Sequence, residues 1–291
     1  RCLAWRVDHA ALCPAPAPVC RRATPAIDAA SCGTARARLA SYEALDAATR
    51  GNLADALKYA REATALRRAE VDAAKMPATS PNDTSADLTA PATLEGELAH
   101  SLRIEAEMAL RLGDTGTAQE AAEEALWIIT EEPGLPLWWR PEAISLMGEV
   151  NAAQGRVVVA ERDFTDALHM EQKLFGDAAP TARADLRLGR VYVSQQVYGP
   201  AVTSFRAGFA ILSKDPVARS QIVSEQIIPF LVAATALEKQ DPSQRGALDA
   251  DMFRAVQLVN SGLADKTIAR VAARRAASDL ALSELVRQYQ D

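Results

Sequence analysis

The chain has 291 residues and a formal net charge of -6; 49% of its residues are hydrophobic, 5% aromatic and 24% charged. That balance excludes disordered, collagenous and membrane-spanning classes, and the acidic excess argues against broad nucleic-acid binding, which needs a basic footprint. Abundant alanine with few aromatics favours closely packed helices over a sandwich or barrel, and a chain this long needs neither disulfide nor metal to hold a core together.

Residues 1–38 read as a Cys/Pro/Arg-rich arm, with six Arg against two Asp. All four cysteines lie in it: Cys2, Cys13, Cys20 and Cys32. Zinc sites supply closely spaced ligand pairs; here there is no C-x-x-C pair and only His9 nearby, so disulfides are expected and no metal. Unpaired thiols prefer a core, whereas these sit beside Pro and Arg. Two disulfides imply an oxidising compartment, hence a periplasmic or extracellular location. Pro14, Pro16 and Pro18 bias the stretch from Cys13 to Cys20 toward an extended span of roughly 22 Å. A disulfide needs Cα atoms within about 7 Å, which makes that pairing the least favoured. Cys2 with Cys13 and Cys20 with Cys32, or the interleaved alternative, stay open. Starting at Arg1 without the apolar core of a signal peptide, the chain reads as processed or as a piece of a longer one.

Beyond the arm, small residues recur at fixed spacing. Ala44, Ala56, Ala60 and Ala63 stand at offsets 0, 12, 16 and 19, and the same ladder returns as Ala106, Ala118, Ala122 and Ala125. It returns again as Gly148, Ala160, Phe164 and Ala167, and as Gly189, Ala201, Phe205 and Gly208. Seven residues into each copy stands Gly51, Gly113, Gly155 or Gln196, where a first helix should end and turn into a second. The spacing predicts helix hairpins in which the small residue admits the alanine of the second helix, while Phe164 and Phe205 fill the gap toward the next hairpin.

The domain map follows: residues 39–74 form a first hairpin, 75–93 a Pro/Thr/Ser-rich linker between two folded parts, 94–218 the repeats, and 219–291 a degenerate hairpin with C-terminal helices. The longest apolar run, Ile227 to Leu237, is interrupted by Pro229 and Thr235 and falls short of the ~20 residues a spanning helix needs.

The ladder resembles the tetratricopeptide repeat (TPR), and its period of 41 to 42, with the run from Ala167 through Glu171 and Phe175 to Asp177 and Pro180, resembles the kinesin-light-chain type. The resemblance implies an all-α fold, a right-handed α-solenoid of stacked hairpins that works as a scaffold for protein contacts. The runs Phe253 to Val259, Ile268 to Arg274 and Leu285 to Asp291 resemble the helices that follow the repeats in bacterial CHAT-domain proteins, just before a caspase-like peptidase domain with a His and Cys dyad. No cysteine follows Cys32, so the dyad is not carried over.

No catalytic or cofactor motif stands in the chain. There is no H-E-x-x-H, P-loop, G-x-G-x-x-G or G-x-S-x-G, and His9, His100 and His169 are isolated. Neither enzymatic activity nor a cofactor is expected. Solenoids act through the face of each first helix opposite the packing ladder. That projection gives His100, Arg103, Ile104, Glu107 and Arg111 in one copy, and Glu142, Ser145, Leu146 and Glu149 in the next. The last copy gives Arg183, Leu186, Arg187, Arg190, Val193 and Ser194.

The arginine row supports two readings: paired donors for a carboxylate of an acidic peptide segment, or a solvated face exchanging ion pairs with Glu142 and Glu149. The Lys and Asn pattern of carboxylate-clamp repeats is absent. Trp127, Trp138 and Trp139 surround the Pro133-Gly134-Leu135-Pro136 connection, either as partner anchors or as caps over a groove between hairpins. Alternation along the loop makes Trp139 the exposed indole. The partner expected is a protein, within a larger assembly or a homo-oligomer.

Overall fold

The computed structural model describes residues 27–75, 91–214 and 222–259, and their regular structure is entirely helical. Cys2, Cys13 and Cys20, the interior of the 75–93 linker and most of 253–291 lie outside these residues. Two compact units divide the chain, Arg1–Leu174 and Phe175–Asp291. The first holds α1 (Ile27–Thr49), α2 (Leu53–Lys75), α3 (Pro91–Leu112), α4 (Thr115–Glu131), α5 (Trp139–Ala153) and α6 (Val157–Phe175). The second holds α7 (Ala179–Ser194), α8 (Tyr198–Lys214), α9 (Ser224–Gln240), a 3-10 turn (Pro242–Gln244) and α10 (Arg245–Leu258).

Four hairpins close with the same turn. Gly51, Gly113, Gly155 and Gln196 have φ of 80°, 85°, 75° and 62°, the left-handed conformation. In each turn two backbone bonds close back on the first helix. Asn52 N–H donates to Ala47 C=O (2.9 Å) and Gly51 N–H to Ala48 C=O (3.2 Å); the pairs from Asp114 and Gly113, Arg156 and Gly155, and Val197 and Gln196 repeat this. This Schellman pattern satisfies carbonyls that a helix end would leave bare. The next ladder residue then starts the second helix, with Ala56, Ala118, Ala160 and Ala201 N–H donating to the carbonyls of Asn52, Asp114, Arg156 and Val197. The spacing of seven and twelve therefore records one backbone event, written four times.

The ladder side chains are buried throughout. Ala44, Ala56, Ala60, Ala106, Ala118, Ala125, Ala160, Ala167 and Ala201 are all 0% exposed. One detail departs from expectation. In the glycine copies the small residue makes room for the residue at offset 16 rather than the alanine at offset 12. A Cβ on Gly148 would stand 3.0 Å from the Phe164 ring, and one on Gly189 2.9 Å from that of Phe205. Where the first position is Ala44 or Ala106, offset 16 is Ala60 or Ala122, so a ring at offset 16 goes with glycine at the first position and a methyl group with alanine. Phe205 also reaches the next hairpin, as the sequence suggests, meeting Phe230 of α9 at 5.8 Å between ring centroids.

Within each unit a first helix also touches the first helix before it: α3 packs on α1, α5 on α3 and α9 on α7. Two boundaries move. The arm is shorter than 1–38, because α1 already starts at Ile27; the alanine-rich run after Pro25 favours helix over an irregular arm. Cys32 thereby falls on helical backbone. At the far side of the linker, α3 starts at Pro91, the helix position that needs no N–H donor. The linker also separates no folded parts, since α2 packs directly on α3. Arg67, 3% exposed, binds Glu70 within α2 and Glu97 of α3, each at 2.8 Å, and the Thr34 hydroxyl of α1 donates to Glu70 at 2.9 Å. The fifth hairpin departs from the others: Asp241 caps its 3-10 turn through Ser243 N–H (3.1 Å).

In the second unit Asp185 is 6% exposed on α7, and burial, with Asp177 adding repulsion, raises its carboxyl to about 6. Between its ordinary value and 6 the folded state holds a proton that the unfolded chain has lost, so stability falls as pH rises through that window.

Three outcomes are expected from these features. Gly148→Ala should cost about 1–3 kcal/mol against Phe164 but be neutral or stabilising in a Phe164→Ala background, where alanine regains roughly 1 kcal/mol of helix propensity. Additive effects in denaturant titrations of the four proteins would rule out the contact. Gln196 is the only non-glycine residue with positive φ among the described residues. Gln196→Gly should raise stability by about 1 kcal/mol, and a lower melting temperature would show that the turn is not left-handed in solution. Asp185→Asn should remove the decline in stability between pH ~4 and ~6 and stabilise the protein at pH 7.5 by up to about 3 kcal/mol; parallel pH curves would show that the Asp185 carboxyl titrates normally.

Candidate interaction surface

The face of α3 opposite its ladder carries Thr93, Gly96, Glu97, His100 and Arg103, at helical spacing. At its N-terminal end this face forms one wall of a pocket of about 340 Å³. Leu135 and Pro136 of the α4–α5 connection and Trp139 at the start of α5 form the other. Gly96 is the reason the walls meet: a Cβ there would stand 2.8 Å from Leu135 Cδ2 and 3.3 Å from Trp139 Cζ3. The lining is mainly apolar with a few polar groups at the rim, a composition suited to one inserted side chain. Leu137 and Trp138 form an exposed lip next to it in sequence, 77% and 46% accessible, and the Trp138 and Trp139 rings meet edge to face at 5.9 Å.

The expected exposure of the two indoles is therefore reversed. Trp139 opens α5, so helical geometry rather than loop alternation sets its direction, and it packs half-buried against the core over Gly96. Trp138, one residue earlier, and Trp127 on α4 at 64% are the exposed ones.

The rim is electrostatically committed. Glu97 is held by Arg67 at 2.8 Å and Arg38 at 3.6 Å. Arg103 binds Glu142 of α5 at 3.1 Å, the kind of ion pair between neighbouring hairpins that the second reading foresaw, although from a different arginine. Partial burial, and secondarily the Arg103 charge, lowers the pKa of His100, although its side chain still reaches solvent. Arg111 donates to Ala48 C=O at 3.1 Å, serving the C-terminal end of α1.

The remaining projected residues divide. Ile104, Ser145, Leu146 and Leu186 are buried rather than lining an open face, because neighbouring helices cover them. Arg183 and Arg190 are exposed on α7 and Arg187 is half-buried; Arg187 and Arg190 already have interaction partners, as does Glu149. The structure thus brings His100 and Trp139 around one pocket in the first unit, with Arg103 outside its lining and paired to Glu142, while Arg183, Arg187 and Arg190 belong to the second unit. Sequence reasoning missed Gly96, Leu135 and Pro136. A glycine inside the first turns of an otherwise good helix was the available signal. Among the described residues no group of three or more His, Cys, Asp or Glu side chains is placed to hold a metal, and no helix is long and apolar enough to cross a membrane.

No protein-family model matches the chain, and no curated protein matches it. Solved structures do. BtubC (BKLC) from P. vanneervenii is 19% identical, with a TM-score of 0.53 over 81% of this chain and 92% of that one. A kinesin light chain of Podosopora anserina with nearly identical TPR-like repeats is 16% identical, with a TM-score of 0.51 over 77% of this chain and 94% of that one. At these identities the likeness concerns the fold: the chain is all-helical and TPR-like.

Proposed function

We propose that the protein is a non-catalytic scaffold that binds an extended protein segment along its first-helix faces and anchors one apolar side chain of that segment in the pocket beneath Trp139. The pocket itself carries this reading, because it lies on the face by which TPR-like hairpins present binding residues, and Gly96 lets its two walls meet. With Glu97 and Arg103 already paired, recognition there rests on shape and burial more than charge. In the second unit, exposed Arg183 is the arginine of the row best suited to an acidic residue.

A cell-envelope location belongs to the same proposal and rests on four cysteines within the first 32 residues. A second reading makes this scaffold the regulatory part of a CHAT-type cysteine peptidase; it rests on the resemblance of residues 253–291 and assigns no catalytic residue to this chain.

Thr93 is exposed and lines the pocket, so Thr93→Tyr should fill it without disturbing packed positions. Peptides selected from a displayed library on the unreduced wild-type protein should bind this variant at least ~10-fold more weakly, at matched circular dichroism and melting temperature. Arg183→Glu should weaken only the selected peptides that carry acidic residues. Equal affinities of Thr93→Tyr and wild type for every selected peptide would remove the pocket from the function.

A further inference from the structure

Within each unit, a new first helix packs on the two helices before it: α3 on α2 and α1, α5 on α4 and α3, α9 on α8 and α7. Applied once more, the rule seats the next element on α10 and α9. On α9 that seat is apolar and uncovered among the described residues. Ile228 is 55% exposed and Val232 50%, and with Leu231, Thr235, Ala236 and Lys239 they line a groove of about 440 Å³. These positions recur at helical spacing along about 16 Å of helix. On α10, Phe253 and Val256, one turn apart, are 67% and 51% exposed. Isolated exposed apolar residues are ordinary; a stripe with a groove along it calls for a cover.

We infer that residues 260–291 of this same chain dock on the α9 groove. Three observations commit the groove to that occupant. The segment starts where the groove's own hairpin ends, since Val259 leaves α10 in an extended conformation (φ -65°, ψ 119°). Its sequence supplies a matching stripe: Leu282, Leu285, Val286 and Tyr289 stand at i, i+3, i+4 and i+7, and Ile268, Val271 and Ala272 repeat the first three steps. Its length is sufficient, because α8, α9 and α10 need only 17, 17 and 14 residues. A tethered segment also competes at an effective concentration on the order of millimolar, which a second copy of the chain does not reach at working concentrations. Docking in cis would close the end of the second unit against association between chains.

The test places a photo-crosslinking benzoylphenylalanine at Val232 of the full-length protein. The expected product is a monomer whose crosslinked peptide maps within residues 260–291. A concentration-dependent crosslinked dimer, a crosslink mapping elsewhere, or no crosslink would overturn the inference. As a second measurement, the full-length Ile228→Glu/Val232→Glu variant replaces two exposed side chains, and hydrogen exchange follows the segment. Exchange in 260–291 should accelerate roughly tenfold while α9 and α10 keep their protection. Unchanged exchange in 260–291 would overturn the inference independently.

Discussion

Everything in this fold depends on how closely two antiparallel helices approach at one point, seven residues before a left-handed turn. The turn fixes the second helix in register with the first, and the residue at the start of the ladder sets the gap between them. Alanine at Ala44 and Ala106 leaves room for alanine, whereas glycine at Gly148 and Gly189 leaves room for a phenyl ring. The hairpins thus keep one turn while differing in what fills the gap. Alanine against alanine is the rule at these positions in the first two hairpins, and at the same positions of the next two a ring enters where glycine admits it.

The hydrophobic ladder is supplemented by charge in a way that differs along the chain. Arg67 is the one deeply buried guanidinium among the described residues, and its two carboxylate partners lie on successive hairpins. A buried pair contributes little net stability over an apolar substitute, but removing one partner strands the others, so it fixes which surfaces meet. That explains why the polar, Pro-rich insertion after Lys75 does not separate α2 from α3. Elsewhere charge faces water: Arg61 reaches Asp114 and Glu105, and Arg68 reaches Glu124, holding α2 to the next hairpin with pairs that salt would screen.

The repeat was legible because it is a backbone phenomenon that writes itself into sequence. A left-handed residue demands glycine or tolerates little else, and closely approached positions demand small side chains, so spacing alone locates both. Gln196 shows the limit, since its position in the ladder, not its chemistry, identified it. The site was less legible. The direction of Trp139 depends on where α5 begins, and nothing in Pro136-Leu137-Trp138-Trp139 marks whether alternation or helical rotation governs the indoles. Gly96 was invisible to a search for periodic small residues because its role is unique to one hairpin. The pairing of Arg103 with Glu142 was foreseeable in kind, but which arginine meets the glutamate depends on the stagger of neighbouring helices. Cys2, Cys13 and Cys20 stay a matter of composition and spacing.

The two pairings, alanine with alanine and glycine with phenylalanine, have a further consequence for assembly of the chain. Four hairpins closed by the same turn offer many wrong partners during folding, and repeat proteins are prone to such misassembly. A second helix bearing Phe164 or Phe205 cannot dock on a first helix bearing Ala44 or Ala106 without forcing a ring against a methyl group. The converse pairing, Ala60 or Ala122 against Gly148 or Gly189, leaves a void where a ring belongs. Glycine and phenylalanine thus act together as a lock against exchange between hairpins, within one chain and between copies. Hairpins that share a pairing, the first with the second and the third with the fourth, lack this protection from each other; between the first two the buried Arg67, held at once by Glu70 and Glu97, supplies a distinguishing mark.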